Sequence, residues 1–478
     1  MPGKNRQRPR ERAFWIGLST IVFGLVLLLA VAPSVFSQNF SDTDRALSVF
    51  ENIFRFVQEN YVDDVDPDDL LEGALKGMFD SLDDPYSAYL NETDMRSLTD
   101  TTTGEYGGVG MLISKQRPDG DDGDTGYVEV VSPIEDTPAQ RAGVRAGDLI
   151  LSIEDPETGE FVSTEELSID QAVDRLRGPE LTPVTIFVRR GETAEFPITI
   201  IREIIEYPTV KFSMIPGDIA FLRISNFTPR TTERILDALA FFGENNYSSM
   251  IIDLRSNPGG LLDSVVEVAD LFFSRGTIVG TSGRIAAENE RFVAQSGTAV
   301  PADLPVVVLI DEGSASASEI LAGALQDRGR AVVLGQTSYG KGSVQQIRRV
   351  GDGGFRLTMS KYYLPSGRFI DEIGISPDRE IIPPELTDEQ QPVYTELLAS
   401  PRVVDWVAAN PDPSEREISD FVSELQRSDF DLPDRWVRRV IRTEVNRQGS
   451  VVAPYDLDFD TVLQEAVRML EEGEVSVR

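Results

Sequence analysis

Residues 306–319 read VVVLIDEGSASASE, and their pattern indicates the fold class of the chain. Residues 306–310 are apolar and predict a buried strand, and a predicted helix starts directly after the following turn. Ser316 ends the turn, where free backbone N–H groups and the positive end of the helix dipole can stabilise an oxyanion. Ser316 and Glu319 also fit a capping box, so the stretch alone is compatible with a nucleophile or with a helix cap.

Strands and helices alternate on both sides of this stretch, from Val210 to about Pro384. The alternation predicts an α/β core with functional loops at the strand ends. The predicted strands are 219–224, 250–254, 306–310 and 331–334, and the predicted helices are 231–242, 261–273 and 316–326.

The remaining chain predicts further domains, which makes the whole an α/β and α+β multidomain protein. The predicted parts are a helical N-terminal region at 38–103, a β domain at 104–200, the α/β core at 201–384 and a helical C-terminal extension at 385–478. Asp66-Pro67-Asp68 is a good helix start, and we interpret the surrounding aspartates as caps rather than as a calcium loop. The sequence leaves open whether the C-terminal extension packs on the core or mediates assembly.

Composition restricts the chemistry severely. The 478 residues include no cysteine and no histidine, which excludes disulfides, a Ser/His/Asp triad and histidine zinc sites. Neither a cofactor nor a metal is expected. The net charge of −35 argues against nucleic-acid binding.

Only six of the 45 basic residues are lysines, and one of them, Lys341, lies between Gly340 and Gly342. A lysine buried in apolar surroundings has a lowered pKa and can accept a proton from a serine. The same stretch nearly matches a P-loop, but Gly342 stands where that motif needs Ser or Thr. Ser338-x-x-Lys341 matches a β-lactamase-like spacing, yet the glycines disfavour the helical turn that this spacing requires.

The stretch from Asp253 to Leu262, DLRSNPGGLL, is a second strand-to-helix turn. Its Gly259 and Gly260 leave backbone N–H groups able to point at a ligand oxygen. Taken alone, this motif is weak.

The N-terminus predicts an export signal. Residues 1–12 are basic, and no charged residue occurs from Ala13 to Phe36. Residues 1–37 therefore fit a cleaved signal peptide or an anchor across the membrane, and both remain open. Either way, the acidic remainder is expected to be extracytoplasmic, in the periplasm or cell envelope.

The β domain resembles a bacterial protease PDZ domain in Gly107-Gly-Val-Gly-Met111, Ala142-Gly-Val144 and Ala146-Gly-Asp148. The resemblance implies that Gly107, Gly108, Val109, Gly110 and Met111 form a loop that holds a peptide's terminal carboxylate. A small β-sandwich whose glycines only make turns is the alternative.

Along the chain, the PDZ-like domain is followed by the glycine turn at 253–262, the serine turn at 313–320 and the Lys341 segment at 340–345. Together and in this order, these motifs closely resemble the C-terminal processing peptidase (tail-specific protease) family. Leu364-Pro-Ser-Gly-Arg368 and Ala74-Leu-Lys-Gly-Met78 extend the match over roughly Phe50 to Pro384. The resemblance implies a crotonase/ClpP-like protease core that acts as a serine endopeptidase. Tyr86 stands where relatives often have a histidine, and we expect it outside the catalytic set.

The resemblance also implies the roles of the site residues. Ser316 is expected as nucleophile, Lys341 as general base and Gln345 as the group that orients the lysine. The backbone N–H groups of Gly259, Gly260 and Ala317 would form the oxyanion hole.

The expected partners are protein or peptide substrates with free C-termini, and the PDZ-like domain could either capture them or gate the cleft. A homo-oligomer, an activating adaptor and membrane attachment through residues 1–37 remain open. A non-catalytic peptide-binding scaffold and a hydrolase of esters or lipids are the alternative functions.

Overall fold

The computed structural model describes residues 42–115, 126–155, 158–191, 193–428, 430–448 and 454–475. The predicted signal segment 1–37 therefore lies outside the described residues. Within them, no helix is both long enough and apolar enough to cross a membrane. The chain divides into two compact units, with the boundary between Asp83 and Asp84.

The first unit contributes two described helices, α1 (Asp42–Asn60) and α2 (Pro67–Asp80). Asp66 caps α2, since its side chain accepts a hydrogen bond from the Asp68 amide at 2.9 Å. This contact confirms both the predicted helix start and the interpretation of Asp66 as a cap.

The second unit begins with a mainly β region that has its own apolar core. Its principal sheet has the order β3-β4-β5-β7-β8, with β6 on β5, while β2 and β9 form a separate ribbon. The elements are β1 (Ala88–Leu90), α3 (Glu92–Thr103), β2 (Glu105–Gly108), β3 (Met111–Lys115), β4 (Val128–Pro133), α4 (Pro138–Arg141), β5 (Leu149–Glu154), β6 (Phe161–Ser163), α5 (Ile169–Leu176), β7 (Pro183–Arg190), β8 (Ala194–Ile201) and β9 (Glu203–Glu206). Alternate residues of β3, β4, β7 and β8 point into one core, as the alternating sequence pattern predicts.

The α/β core follows, built on a six-stranded sheet of order β10-β11-β12-β15-β16-β19. All neighbouring strands pair in parallel except β10 and β11. The elements are β10 (Val210–Ile215), β11 (Ile219–Ile224), α6 (Thr231–Glu244), β12 (Ser249–Asp253), α7 (Leu262–Asp270), β13 (Thr277–Gly283), β14 (Arg291–Val293), β15 (Val306–Ile310), α8 (Ala317–Asp327), β16 (Val332–Gly335), β17 (Ser343–Val350), β18 (Gly353–Tyr363) and β19 (Arg379–Glu380). The predicted α/β alternation is confirmed.

The central strands β12 and β15 are buried along their whole length. Both faces are covered, which is why they read as continuous apolar runs rather than as alternating ones. Asp253 pairs with Leu309, so the two strands end side by side. The turns that follow β12 and β15 therefore meet at one edge of the sheet, where open α/β sheets place their ligands.

A second sheet of the core was missed by the sequence reasoning. It has the order β1-β18-β13-β14, with β17 paired to β18 in a long hairpin. Lys341 lies on the loop that enters this hairpin, so the missed element carries part of the site.

The C-terminal extension consists of two different parts. Four helices share an apolar core of their own, while the last helix packs against the six-stranded sheet. The helices are α9 (Gln390–Ala399), α10 (Pro401–Ala409), α11 (Glu415–Ser428), α12 (Asp434–Gln448) and α13 (Thr461–Glu471). Of the two roles left open by the sequence, packing on the core thus applies to α13.

Candidate active site

Ser316 occupies a strained turn between β15 and α8. Its backbone φ and ψ are 54° and −112°, a positive φ that residues with a side chain rarely adopt. Strain of this kind concentrates at functional sites. The Ser316 amide donates to Glu319 Oε2 at 2.8 Å, and the residue is half-buried at the helix N-terminus. The serine therefore stands at the strand-to-helix junction that the sequence indicated.

The glycine turn after β12 lies directly against this serine. Gly259 has a φ of 109°, and a Cβ on it would come within 2.8 Å of the Ser316 Cβ. Gly260 has a φ of 143°, and a Cβ there would lie 2.1 Å from the Phe227 carbonyl oxygen. Both positions therefore require glycine. Because Gly259 has no side chain, the backbone of the turn can lie next to Ser316.

The three amides predicted for an oxyanion hole have different environments. The Gly259 amide donates to Asn257 Oδ1 at 2.9 Å, so it is already engaged. In the part of the chain that the structure describes, no acceptor is hydrogen-bonded to the amide of Gly260 or of Ala317. The two free donors are thus those of Gly260 and Ala317, one on each turn.

Asn257 ties the two turns together. It is fully buried, and its Nδ2 donates to the carbonyl of Ile224 at 2.9 Å. Its own carbonyl accepts from the Ala315 amide at 3.0 Å and from Ser318 Oγ at 2.9 Å. The glycine turn and the serine turn therefore hold each other in place.

Lys341 lies on the loop between β16 and β17. Burial is the main cause that lowers the pKa of this lysine, and the nearby charge of Arg356 lowers it further, while Asp84 and Glu319 act in the opposite direction. Within the described ranges, no acceptor is hydrogen-bonded to its Nζ atom. At a given pH, a larger fraction of Lys341 is therefore in the neutral amine form than in a free lysine.

Tyr86 faces the lysine, with its ring centroid 4.9 Å from Lys341 Nζ. Burial and a hydrogen bond to Tyr339 raise the pKa of Tyr86 to about 12, so the ring stays neutral. Tyr86 therefore contacts a site residue, while its place outside the catalytic set stays a prediction. No local pattern indicates this contact, because about 250 residues separate the two side chains.

Glu319 connects the serine to the lysine. Its buried carboxylate accepts the Ser316 amide at 2.8 Å and the Lys341 amide at 2.9 Å, both on Oε2. Its Oε1 accepts the Gly340 amide at 2.7 Å and Ser338 Oγ at 2.5 Å. Burial raises the pKa of Glu319, against these four donors that favour the ionised form. One carboxylate thus fixes the backbones of both turns.

The same contacts explain Ser338. Its hydroxyl donates to Glu319 and accepts the Ile375 amide at 2.7 Å, and it is nearly buried. Residues 336–342 form no helix, so the β-lactamase-like spacing of Ser338 and Lys341 is not realised. A strand rather than a helix follows Lys341, unlike in a P-loop.

Tyr362, on β18, completes the enclosure of the site. Its hydroxyl donates a hydrogen bond to the Lys341 carbonyl oxygen, and the Ser316 side chain is close enough to influence its pKa. Burial raises the pKa of Tyr362 well above its usual value. The phenol is therefore a neutral group shared by the serine and lysine segments.

Gln345 lies on β17 at a β-bulge, where the pairing with β18 shifts register between Val344 and Gln345. Bulges redirect side chains and are common next to active sites. Its Nε2 donates to Ser343 Oγ at 2.8 Å and, at 3.4 Å, to Thr358 Oγ1. Contact between Gln345 and the lysine amine therefore stays a prediction.

The predicted PDZ loop spans the end of β2 and the start of β3. Gly107 and Gly108 pair with Ile204 and Glu203 of β9. The Val109 carbonyl accepts the Ala139 amide at 2.8 Å, and the Gly110 carbonyl accepts the Ile134 amide at 3.0 Å. Met111 opens β3. These contacts fix the loop, while its peptide-binding role stays a prediction.

Asn257, Glu319 and Tyr362 were not predicted as site residues. The sequence predicted Glu319 only as part of a helix capping box. Asn257 lies within the glycine motif at 253–262, where no role was predicted for it. Tyr362 lies on the missed hairpin, so no signal was available for it. No cluster of three or more acidic side chains that could hold a metal occurs in the described residues.

Three family models match the chain. Peptidase family S41 matches residues 218–381, a PDZ domain matches 129–190, and the N-terminal domain of the activating protease CtpB matches 32–94. The S41 match covers the six-stranded sheet from β11 onward and both turns of the site.

Relatives extend the similarity over most of the chain. The carboxy-terminal-processing protease of Bartonella bacilliformis is 41% identical over 363 residues, which are 75% of this chain and 80% of that protein. The carboxyl-terminal-processing protease of Synechocystis sp. is 32% identical over 84% of this chain and 93% of its own. Among solved structures, a photosystem II D1 C-terminal processing protease is 27% identical, with a TM-score of 0.40 over 70% of this chain and 92% of its own. On these grounds the chain belongs to peptidase family S41, among the serine peptidases named carboxy-terminal processing proteases.

Proposed function

We propose that this peptidase cleaves extracytoplasmic proteins at or near their C-termini, with Ser316 as nucleophile and Lys341 as general base. The observation that carries the proposal is the contact of one carboxylate oxygen, Glu319 Oε2, with the amides of both residues. A shared anchor of this kind keeps the two segments a few ångströms apart, as proton transfer between their side chains requires.

In the proposed reaction, the neutral Lys341 amine accepts the proton of Ser316 Oγ. The oxygen attacks the scissile carbonyl carbon, and the resulting ammonium returns the proton to the departing amine. Water then attacks the acyl-enzyme, with the lysine again as base, and releases the new carboxylate. The lowered pKa of Lys341 supports this role, because only the uncharged amine can accept a proton.

The negative charge that develops on the carbonyl oxygen is proposed to be held by the amides of Gly260 and Ala317. Their lack of other acceptors supports the assignment, as does the approach of the glycine turn to Ser316. Preorganised backbone donors of this kind commonly supply the largest single contribution to catalysis.

Gln345 is proposed to orient Lys341, as the family resemblance implies. Its amide nitrogen is held by Ser343. In this proposal the side chain changes partner when substrate binds, and the amide oxygen then accepts a hydrogen bond from the lysine amine.

The PDZ domain is proposed to recognise the substrate's free C-terminus through residues 107–111. The family match and the names of the relatives support this substrate class. Steady-state kinetics can distinguish a PDZ domain that delivers the peptide from one that gates the cleft. Removing peptide binding should raise KM in the first case and lower kcat in the second.

The proposed extracytoplasmic location rests on the basic flank and uncharged stretch of residues 1–36, followed by a strongly acidic chain. The full chain is expressed in cells whose outer membrane is permeabilised while the inner membrane stays intact. An added protease should then digest the acidic chain that follows residue 37. Full protection would place it in the cytoplasm instead.

A β-casein digest tests the activity directly. The full chain should degrade β-casein, while Ser316→Ala and Lys341→Ala should not. Hydrolysis by either variant at the wild-type rate would contradict the mechanism. Cleavage of simple esters but not of casein would point to another class of hydrolase.

A further inference from the structure

The last helix, α13, is a structural layer of the catalytic core, although the family match ends at residue 381. Its apolar face, which includes Leu463 and Ala466, shares one buried apolar cluster with Ile251 of β12 and with Val307 and Leu309 of β15. All five side chains are fully buried. The helix therefore covers the face of the two strands that lead into the serine and glycine turns.

A buried network of charges joins α13 to the glycine turn. Asp253, the last residue of β12, is fully buried and accepts both Nε and Nη2 of Arg255 at 2.8 Å. The other side of the same guanidinium contacts Asp460, with Nη1 to Oδ1 at 2.9 Å and Nη2 to Oδ2 at 2.6 Å. Arg223 adds a second cation, 3.3 Å from Asp253. Arg255 thus spans two carboxylates that are about 200 residues apart in the chain.

Arg255 precedes Asn257 by only two residues. Asn257 Oδ1 holds the Gly259 amide, and its carbonyl holds the Ala315 amide. A shift of Arg255 would therefore move the backbone that aims the Gly260 amide at the substrate.

We propose that Asp460 is a positioning residue for the reaction, acting through Arg255 on the turn from Asn257 to Gly260. In this inference α13 completes the active site from the far end of the chain. The inference rests on the proposed function, because it assigns the Gly260 amide to the oxyanion.

Asp460 also caps α13, since its Oδ1 accepts the amides of Val462 at 3.1 Å and Leu463 at 3.0 Å. The two roles can be separated by Asp460→Asn. Asparagine is as good an N-cap as aspartate, but it carries no charge for Arg255. Paired guanidinium and carboxylate groups bind in a bidentate geometry that a neutral amide cannot reproduce. The variant should keep the helix and loosen the turn.

The test compares the full chain with Asp460→Asn and with Asp458→Asn, which makes the same charge change at an exposed position two residues away. A fluorogenic peptide gives kcat and KM, a peptide aldehyde gives the affinity for a tetrahedral adduct, and thermal unfolding gives stability. For Asp460→Asn we expect kcat to fall about 10- to 100-fold, because a misplacement of about 1 Å can cost about 100-fold. KM should stay unchanged, and the aldehyde should bind more weakly by the same factor as kcat/KM. Asp458→Asn should match wild type.

Two outcomes would overturn the inference. One is a wild-type kcat in Asp460→Asn. The other is a lower Tm with fewer active molecules but an unchanged kcat per active site, which indicates a structural role alone.

Arg255→Lys provides a second route if Asp460→Asn does not fold. Lysine cannot span two carboxylates with a planar fork, so kcat should fall while KM remains unchanged. Where Asp460→Asn does fold, adding it to Arg255→Lys should cost little more, and fully additive losses would refute the coupling. If instead wild type is inactive or Ser316→Ala is active, the proposed function fails, and not merely the role of Asp460.

Discussion

Replacing Glu319 by glutamine tests the link between the two halves of the site. Glutamine keeps the shape of the side chain, but its NH₂ group must face two of the four donors that the carboxylate now accepts. Hydrogen bonds to a charged group contribute roughly 1.5–3 kcal/mol each. Losing two of them, with partial relaxation, predicts a fall in the free energy of unfolding of about 3 kcal/mol. Since domains are stable by about 5–15 kcal/mol, the variant should still fold.

The effect on catalysis should exceed the effect on stability. Glu319 is buried behind both turns and cannot contact substrate, so KM should be unchanged while kcat falls on the order of 100-fold through misplacement of Ser316 and Lys341. Initial rates on a fluorogenic peptide and denaturant unfolding measure the two effects. Glu312→Gln is the matched control, because Glu312 is exposed in the same turn. A Glu319→Gln variant with the wild-type kcat would refute the reasoning.

Two further predictions follow from the same geometry. Because the pKa of Lys341 is lowered, the neutral fraction of its amine at any given pH is larger than in a free lysine. The value of kcat/KM should therefore rise with pH through a midpoint below the usual lysine pKa. Lys341→Arg should remove both this rise and the activity. A midpoint at or above the usual value would contradict the assignment. Gly259→Ala should lower kcat by about 100-fold or more, because its Cβ would contact Ser316 and the amide of Ala317. Gly297→Ala is the control, because Gly297 has a similar φ of 105° but open space around it. An equal fall of kcat in the two alanine variants would show that backbone strain, and not the contact with Ser316, is responsible.

The fold was readable from the sequence where local pattern and tertiary burial agree. Strands β11 and β15 were predicted with their observed limits, since an apolar run is a local signal. The hairpin of β17 and β18 was missed because most of β17 is exposed and offers little apolar contrast. The packing of α13 on the sheet depends on contacts across more than 100 residues, which no local pattern carries.

The site was predictable to a different degree for each residue. The roles of Ser316 and Lys341 came from the resemblance of their motifs to those of the C-terminal processing peptidases, and the absence of histidine and cysteine agrees with those roles. Tyr86 and Tyr362 are ordinary aromatic residues in the sequence, and only the fold brings their rings to Lys341 and Ser316. Glu319 illustrates a limit of motif reasoning, since the contacts to Gly340 and Lys341 that distinguish it from an ordinary helix cap come from a distant loop.

The role of Lys341 as base can be tested by chemical rescue, because the chain contains no cysteine. Lys341→Cys creates a single thiol, which 2-bromoethylamine converts into a lysine analogue with sulfur in place of one methylene group. We expect that the unmodified variant does not cleave β-casein and that alkylation restores cleavage. The rise of activity with pH should then be shifted to lower pH, because sulfur lowers the pKa of the amine. Wild type treated in parallel controls for other effects of the reagent. Activity before alkylation, or no recovery after complete alkylation, would contradict the role of Lys341 as the base that activates Ser316.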